Sequence, residues 1–229
     1  MEEITNKFAC EFCKKEFMKE QSLLIHSCEP RRRRQEQGER GVQLGLQAYL
    51  KFYQMAQGSA KLKTFDDFAG SPYYKAFVKF GRYCVDIKAI NPARLTEWLL
   101  KANKKIDHWC RDTVYTEYLL DYLKVEAVDD ALARAIEFGL DWEEKTSNPP
   151  HDCLRYGNSN AMAYAVSTGR ISPWVIYNSE SGQKFLSELS PEQVAIVWPY
   201  IDADVWQKKF KDYPADQEYA KDILKKAGW

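Results

Sequence analysis

The feature that most constrains the fold is a short series of cysteine and histidine residues near the N terminus. Cys10 and Cys13 are separated by two residues, and His26 follows Cys13 after twelve more. Cys28 comes two residues after His26. Thiolate sulfur and imidazole nitrogen are the ligands that Zn²⁺ takes in tetrahedral structural sites. The spacing therefore predicts a zinc site formed by Cys10, Cys13, His26 and Cys28.

The short interval between His26 and Cys28 restricts the path of the chain. Residues two apart on a regular helix point about 200° apart around the axis, so both cannot face one ion. Pro30 favours a helix end before it, because the residue preceding a proline avoids the helical conformation. We therefore expect a helix that ends near His26 and a chain that turns back to bring Cys28 to the metal. The alternative is a site in which Cys28 takes no part.

Apolar residues between the ligands complete the pattern. Phe8, Phe17 and Leu23 give the series aromatic-x-Cys-x2-Cys-x3-Phe-x5-Leu-x2-His. Through His26 this segment resembles the C2H2 zinc-finger family, in which these positions form the small core of a ββα module. Members of that family carry the last ligand after three to five intervening residues, so this chain departs from them as a CCHC-type variant. The resemblance implies a zinc-finger module over residues 1–30.

The rest of the chain, residues 31–229, is predicted to be a helical domain. Hydrophobic residues make up 45% of the sequence and charged residues 29%, which is typical of a globular protein. Thr64 and Asp67 have the spacing of a helix-capping box. Helix starts with a capping residue before proline are predicted at Ser71-Pro72, Asn91-Pro92, Ser172-Pro173 and Ser190-Pro191, the last with Gln193 completing a capping box. We expect a mainly α fold, with the small N-terminal ββα finger followed by an irregular multi-helix bundle.

Several helix boundaries are predicted from glycine and capping residues. Gly58 is expected to end a helix whose apolar face includes Val42 and Tyr53. Asp129 is expected to start a helix that stops at Gly139. A further helix is expected over residues 160–167. The segment Thr-Ser-Asn-Pro-Pro-His-Asp, residues 146–152, is predicted to be a loop and a sub-boundary of the helical domain.

Charge is distributed unevenly along the chain, although the formal net charge is zero. Residues 1–105 carry 20 basic and 12 acidic side chains, a net charge of +8. Residues 106–229 carry 13 basic and 21 acidic side chains, a net charge of −8. This division indicates either a basic half that faces a polyanion or two halves that face each other.

The basic run beside the finger indicates nucleic acid as a partner. Arg31, Arg32, Arg33 and Arg34 can neutralise phosphates. By the register of the C2H2 family, the base-contacting positions fall near Lys19, Ser22 and Ile25. Isoleucine offers no hydrogen bond, and one finger covers only about 3 bp, so we expect mostly non-specific contact with DNA or RNA. The alternative is a finger that docks on protein beside a solvated basic turn.

The remaining histidines and cysteines leave a second metal site open. His108, Cys110, His151, Cys153 and Cys84 are its candidate ligands, and the alternative is thiols packed in the core with histidines at the surface. Sequence motifs of common enzyme classes are absent. We therefore expect no enzymatic activity and no small-molecule substrate. If the chain is an enzyme after all, a nuclease with scattered carboxylates holding Mg²⁺ is the form we would expect.

A second resemblance covers nearly the whole chain. The segment GVQLGLQAYLKFYQMAQGSAKLKTFDDFAGSPYYKAFVKFGRYC is similar to uncharacterised zinc-finger proteins of large contractile-tailed bacteriophages. The resemblance implies either a nucleic-acid-associated factor or a factor in virion assembly, for example of the baseplate, and it implies no catalytic residues. The polar N terminus, the lack of long apolar runs and the metal-type cysteine spacing predict a cytoplasmic protein, in the host cytoplasm if the chain is phage-encoded, with no membrane partner.

Overall fold

The computed structural model describes residues 8–57 and 62–229. The fold is mainly helical with a small N-terminal β-hairpin, which confirms the predicted fold class. The chain divides into two compact units, residues 1–111 and residues 112–229. The predicted module boundary at residue 30 lies inside the first unit, and the predicted sub-boundary at residues 146–152 lies inside the second. Whether either marks an independently folding module stays a prediction.

The first unit begins with the hairpin. Strand β1 (Phe8–Ala9) pairs antiparallel with β2 (Glu16–Phe17), and Phe8 lies opposite Phe17. In the described part of this unit, six α-helices follow: α1 (Glu20–Leu24), α2 (Glu29–Gln35), α3 (Arg40–Gln57), α4 (Phe65–Ala69), α5 (Tyr74–Asp86) and α6 (Pro92–Lys101). Short 3-10 turns lie at Glu36–Gly38 and Ile106–His108. The predicted helix end at Gly58 lies outside the described residues.

Helices α3 and α5 pack closely because glycines line their crossing. A Cβ atom added to Gly81 of α5 would lie 1.9 Å from the carbonyl oxygen of Gly41 in α3. One added to Gly45 would lie 2.6 Å from the carbonyl oxygen of Phe77. Around this crossing, buried aromatic side chains of the unit form its core: Tyr49, Phe68, Tyr74, Phe77, Phe80 and Trp109.

Most of the predicted helix starts are confirmed. Thr64 and Asp67 form the reciprocal capping box, and Ser190 forms another with Gln193. The side chain of Asn91 accepts a hydrogen bond from the Arg94 amide at the start of α6. Ser172 likewise caps its helix, accepting from the amide two residues on.

The start predicted at Ser71-Pro72 is two residues too early. Helix α5 begins at Tyr74, and the Ser71 hydroxyl instead accepts a hydrogen bond from the Tyr73 amide at 3.1 Å. Ser71 is also buried. Because its hydrogen bond is to an amide of the turn, its side chain stabilises the turn before the helix and not the helix itself.

The second unit is built from nine α-helices within the described residues: α7 (Asp112–Val125), α8 (Val128–Thr146), α9 (Cys153–Tyr156), α10 (Ser159–Ser167), α11 (Pro173–Asn178), α12 (Glu180–Ser187), α13 (Pro191–Ile201), α14 (Ala203–Asp212) and α15 (Pro214–Lys226). Trp174, Trp206 and Phe210 meet in its core with ring centroids 5.2–6.0 Å apart. The helix expected over residues 160–167 is confirmed as α10.

Helix α8 contradicts the boundaries predicted from Asp129 and Gly139. The helix begins at Val128 and continues through Gly139 to Thr146, after which Ser147 takes the left-handed conformation. Gly139 is buried, and an added Cβ would lie 2.9 Å from the carbonyl oxygen of Pro150. The glycine is therefore needed for close packing against the 3-10 turn Pro150–Asp152 and does not end the helix.

Candidate functional site

The turn of the N-terminal hairpin holds the first two cysteines. The Cys10 amide donates to the Lys15 carbonyl at 2.9 Å, and the Lys14 amide donates to the Cys10 carbonyl at 2.8 Å. Lys14 closes the turn with a left-handed φ of 61°. The backbone amides of Cys13 and then Phe12 point at the Cys10 sulfur and lower the pKa of this thiol. The turn therefore favours the thiolate form, which is the form that binds metal.

The chain between His26 and Cys28 leaves the helical conformation. Helix α1 ends at Leu24, so His26 follows the helix instead of lying within it. Cys28 is extended, with φ −127° and ψ 158°, and is the N-cap residue of α2. The non-helical segment between α1 and α2 therefore brings His26 and Cys28 close to the cysteines of the hairpin turn.

The four side chains form a group that could hold a metal ion. Their candidate ligand atoms all lie within 4.8 Å of one another. The sulfur atoms of Cys10 and Cys28 are 3.9 Å apart, and the Cys13 sulfur lies 3.2 Å from His26 Nε2. Tetrahedral zinc with bonds of about 2.3 Å to sulfur and 2.0–2.1 Å to nitrogen requires separations of about 3.8 and 3.6 Å. The cluster is thus close to the dimensions of such a site.

The first two residues of the arginine run make short-range contacts. Arg31 connects α2 to the cluster, and Arg32 pairs with acidic residues of α2 and of the turn that follows it. The Arg31 guanidinium donates to the His26 carbonyl at 2.7 Å, and the Arg31 amide points at the Cys28 sulfur. Arg32 donates to Glu29 at 2.5 Å and lies 3.8 Å from Glu36. Arg31 therefore supports the loop that carries two candidate ligands.

The last two arginines connect α2 to the helices beyond it. Arg33 donates to the Ala69 carbonyl and lies over the Tyr74 ring, with its side chain only 16% exposed. Arg34 lies 2.8 Å from Asp66, with its side chain 48% exposed. All four arginines have intramolecular partners, so they are less available to phosphate than the sequence suggests.

The outer surface of the finger carries exposed apolar side chains as well as basic ones. Lys19 is exposed as the N-cap residue of α1, and Ser22 is half-buried in this five-residue helix. Ile25 is 85% exposed. Other large hydrophobic side chains exposed on the finger are Phe12, Met18 and Leu24. The four exposed apolar side chains of the finger, Phe12, Met18, Leu24 and Ile25, are named here the finger tip.

The structure does not gather the other cysteines and histidines into a comparable cluster. Within residues 8–57 and 62–229, the one group of three or more metal-ligating side chains is Cys10, Cys13, His26 and Cys28. Cys84 and Cys153 are buried, and burial raises the pKa of each thiol to about 12. Cys110 is half-buried, as are His108 and His151. The thiols of Cys84 and Cys153 are therefore protonated and lie in the core.

The charge division predicted along the sequence coincides with the structural division. The first unit, residues 1–111, contains 21 basic and 13 acidic residues. The second unit, residues 112–229, contains 12 basic and 20 acidic residues. Each compact unit thus carries its own net charge, +8 and −8, and the finger belongs to the basic one.

The first unit also contains a groove that is not predicted from the sequence. It lies between α2 and α5, has a volume of about 580 Å³, and is lined by Tyr74, Lys75, Val78, Lys79 and Arg82 among others. The spacing of Lys75, Lys79 and Arg82 at i, i+4 and i+7 places them on one helix face and could have indicated it.

Comparison with known proteins leaves the function to be argued from this geometry. No protein-family model matches the chain, and neither the curated proteins nor the solved structures include a match. Within the described part of the chain, no helix combines the length and the apolar character needed to cross a membrane.

Proposed function

We propose that the first unit binds one zinc ion and associates with nucleic acid, chiefly through phosphates and without catalysing a reaction. The observation that carries this proposal is the net charge of +8 confined to the compact unit that contains the finger. A concentrated positive charge attracts a polyanion and releases its counterions, whatever the sequence of the nucleic acid.

The cluster geometry supports zinc as the metal. Cys10, Cys13, His26 and Cys28 supply three sulfur ligands and one nitrogen ligand, a set that zinc takes in closed structural sites. Four protein ligands leave no open coordination position, so the ion would crosslink the hairpin, the segment after α1 and the N-cap residue of α2. Metal analysis of the purified chain is expected to give one zinc per molecule.

The exposed basic residues support non-specific contact. Arg32 and Arg34 keep about half of their side-chain surface exposed despite their ion pairs. Exposed ion pairs of this kind contribute only about 0–1 kcal/mol, so phosphate can compete with the carboxylates. Lys14, Lys15 and Lys19 are exposed on the finger itself. Helix α1 spans five residues, which leaves little surface for reading bases.

Fluorescence anisotropy with zinc-loaded protein tests this proposal. Labelled single-stranded DNA, duplex DNA and RNA are titrated at 50 and 200 mM salt, and affinity is expected to fall with salt at a slope of about −0.9 per neutralised phosphate for duplex. Arg32→Gln with Arg34→Gln is expected to flatten the slope by up to about two contacts, equally for unrelated sequences. Arg31 and Arg33 are left intact because they support the fold. Absence of binding to all three probes at the lower salt would refute the proposal.

A second candidate is a protein assembly factor whose finger binds protein only. The observation that favours it is the finger tip, since Phe12, Met18, Leu24 and Ile25 are large hydrophobic side chains that are all exposed on one small module. Nucleic-acid titrations of the wild type and of the double variant Leu24→Gln with Ile25→Gln separate the two functions. Nucleic-acid affinity is expected to stay unchanged if phosphates dominate binding, whereas an assembly factor would show no salt-dependent binding of either nucleic acid before or after this change.

The setting in which the protein acts is also proposed. The similarity of its sequence to zinc-finger proteins of contractile-tailed phages supports a phage origin and action in the host cytoplasm. None of the six cysteines forms a disulfide bond, which fits a reducing compartment. Under the second candidate, the same resemblance makes virion assembly, for example of the baseplate, the process to test.

A further inference from the structure

We propose that the groove between α2 and α5 is a phosphate-binding site. If the phosphate belongs to nucleic acid, the inference rests on the proposed function. In that case α5, and not the arginine run, makes the main contact with the nucleic acid. For a small phosphorylated molecule, the inference stands without that function.

The wall of the groove is a lysine ridge on α5. Lys75 and Lys79 are exposed, four residues apart, and Arg82 follows three residues later, so all three lie on one face of the helix. Among the described residues, neither lysine forms a hydrogen bond or an ion pair. Lysine ammonium groups bind phosphate as compact charges, and these two are available to do so.

The acidic side chains at the groove are mostly neutralised by arginines. Glu29 is bonded to Arg32 and Arg33. Arg82 is held by Glu39 at 2.6 Å, with Glu36 at 3.5 Å. These pairs leave the positive charge of the two lysines largely uncompensated.

Of the acidic side chains that line the groove, Asp86 is the one that is not paired with an arginine. It ends α5 at the edge of the groove, is exposed, and has no ion pair among the described residues. One carboxylate against two ammonium groups leaves the groove with a net positive charge, and Asp86 is expected to weaken anion binding.

One residue that lines the groove, Tyr74, has a buried hydroxyl group without a hydrogen-bond partner among the described residues. Tyr74 is only 4% exposed, and its hydroxyl oxygen is buried without a hydrogen-bond partner within the described residues. Burial raises the pKa of this phenol, with smaller opposing effects from the charges of Glu36, Arg33 and Arg82. A buried polar group without a partner is uncommon in a folded protein.

Together these groups match the chemistry of a phosphate. The Tyr74 hydroxyl has no exposed surface, so it can donate one hydrogen bond to a phosphate oxygen only when the side chains that cover it move aside, while Lys75 and Lys79 neutralise the charge at the surface. The volume of about 580 Å³ lies in the range of ligand sites, and the groove is open, so it can also receive a phosphate of a polymer.

The test compares two pairs of lysines with the same loss of charge. Lys75→Gln with Lys79→Gln removes the ridge. Lys101→Gln with Lys105→Gln removes two exposed lysines of the same unit that do not line the groove. The probes are inorganic phosphate and adenosine monophosphate, followed by ³¹P NMR, and labelled single-stranded and duplex DNA, followed by anisotropy at 50 mM salt.

We expect the ridge variant to lose at least tenfold in affinity and the control pair to change by less than about twofold. Tyr74→Phe is expected to weaken binding about fivefold, as for loss of one hydrogen bond, without lowering the melting temperature. Asp86→Asn is expected to tighten binding about two- to fivefold.

The outcomes separate the inference from the proposed function. Binding of DNA that depends on the ridge supports both, and binding of phosphate or the nucleotide alone supports the groove but refutes nucleic-acid association. Binding of DNA that is equally weakened by both lysine pairs retains the function and overturns the groove. Binding of no probe overturns both. A Tyr74→Phe variant that melts at a markedly lower temperature would show that the hydroxyl has an internal partner and would overturn its assigned role.

Discussion

At the scale of single residues, the second unit depends on one buried ion pair. The Glu126 side chain is fully buried, and Arg134 binds both of its carboxylate oxygens, with the Nη2–Oε2 contact at 2.8 Å. Arg134 also donates through Nε to the Gly169 carbonyl at 2.6 Å, and the Ser172 hydroxyl lies 3.2 Å from Glu126 Oε2. The pair therefore joins the start of α8 to the loop between α10 and α11.

Loss of the cation alone should destabilise this unit strongly. We expect Arg134→Met to reduce the free energy of unfolding by about 3–5 kcal/mol, because Glu126 would remain buried and unpaired. The double change Glu126→Leu with Arg134→Met is expected to cost less than the single change, since it removes the buried charge as well. Urea denaturation followed by tryptophan fluorescence measures both. A loss below about 1 kcal/mol for the single variant would show that water reaches the carboxylate.

At the scale of elements, the crossing of α3 and α5 depends on the absence of side chains. Alanine is favoured over glycine in a helix by about 1 kcal/mol, so propensity alone predicts that Gly81→Ala stabilises the protein. The added Cβ would however lie 1.9 Å from the Gly41 carbonyl oxygen, which is backbone and cannot rotate away.

We therefore expect Gly81→Ala to lower the free energy of unfolding by about 3 kcal/mol, the upper end of the usual cost of overpacking. Gly38→Ala is the control, because its added Cβ would have no atom within 4 Å. That variant should be neutral or slightly more stable. Thermal unfolding followed by circular dichroism compares the two, and equal stability of the variants would contradict the close packing of this crossing.

The same scale shows which features the sequence could predict. Thr64 with Asp67, Asn91, and Ser190 with Gln193 were identified because a cap is a local interaction within four residues. Gly139 was misjudged because its role depends on Pro150, eleven residues away, and a stop signal and a packing glycine look the same in sequence. The cluster of Cys10, Cys13, His26 and Cys28 could be predicted because zinc chemistry restricts residue type and spacing together. The partners of the arginine run and the α5 groove depend on tertiary contacts. The spacing of residues along the sequence does not predict such contacts.

At the scale of the whole molecule, the division into two units depends on tertiary contacts. No local sequence pattern at the boundary predicts it. The structural boundary at residues 111 and 112 falls between the 3-10 turn Ile106–His108 and α7, where the sequence has neither a long loop nor a low-complexity linker. Charge composition gave the nearest indication, since its sign changes close to this boundary. The finger is continuous with the first unit, because Cys28 is both a candidate ligand and the N-cap residue of α2.

Removal of the metal tests how far the order of the cluster extends. Zinc binding in finger peptides is worth about 10–16 kcal/mol and provides most of their folding free energy, so Cys10→Ser should unfold residues 8–28. Arg33 ties α2 to the Ala69 carbonyl and to the Tyr74 ring, so the helices from residue 31 onward should stay folded.

Hydrogen exchange measured by mass spectrometry, with and without a chelator, resolves this region by region. Amides of residues 8–28 are expected to lose protection in Cys10→Ser and in chelated wild-type protein, while residues 112–229 keep theirs. Cys110→Ser is the matched control, because it removes a half-buried thiol of the same unit that is outside the cluster. Loss of protection throughout residues 31–111 as well would mean that the finger and the helices around α3 and α5 fold as one cooperative body, because the Arg31 and Arg33 contacts would then transmit the loss of the metal into the core.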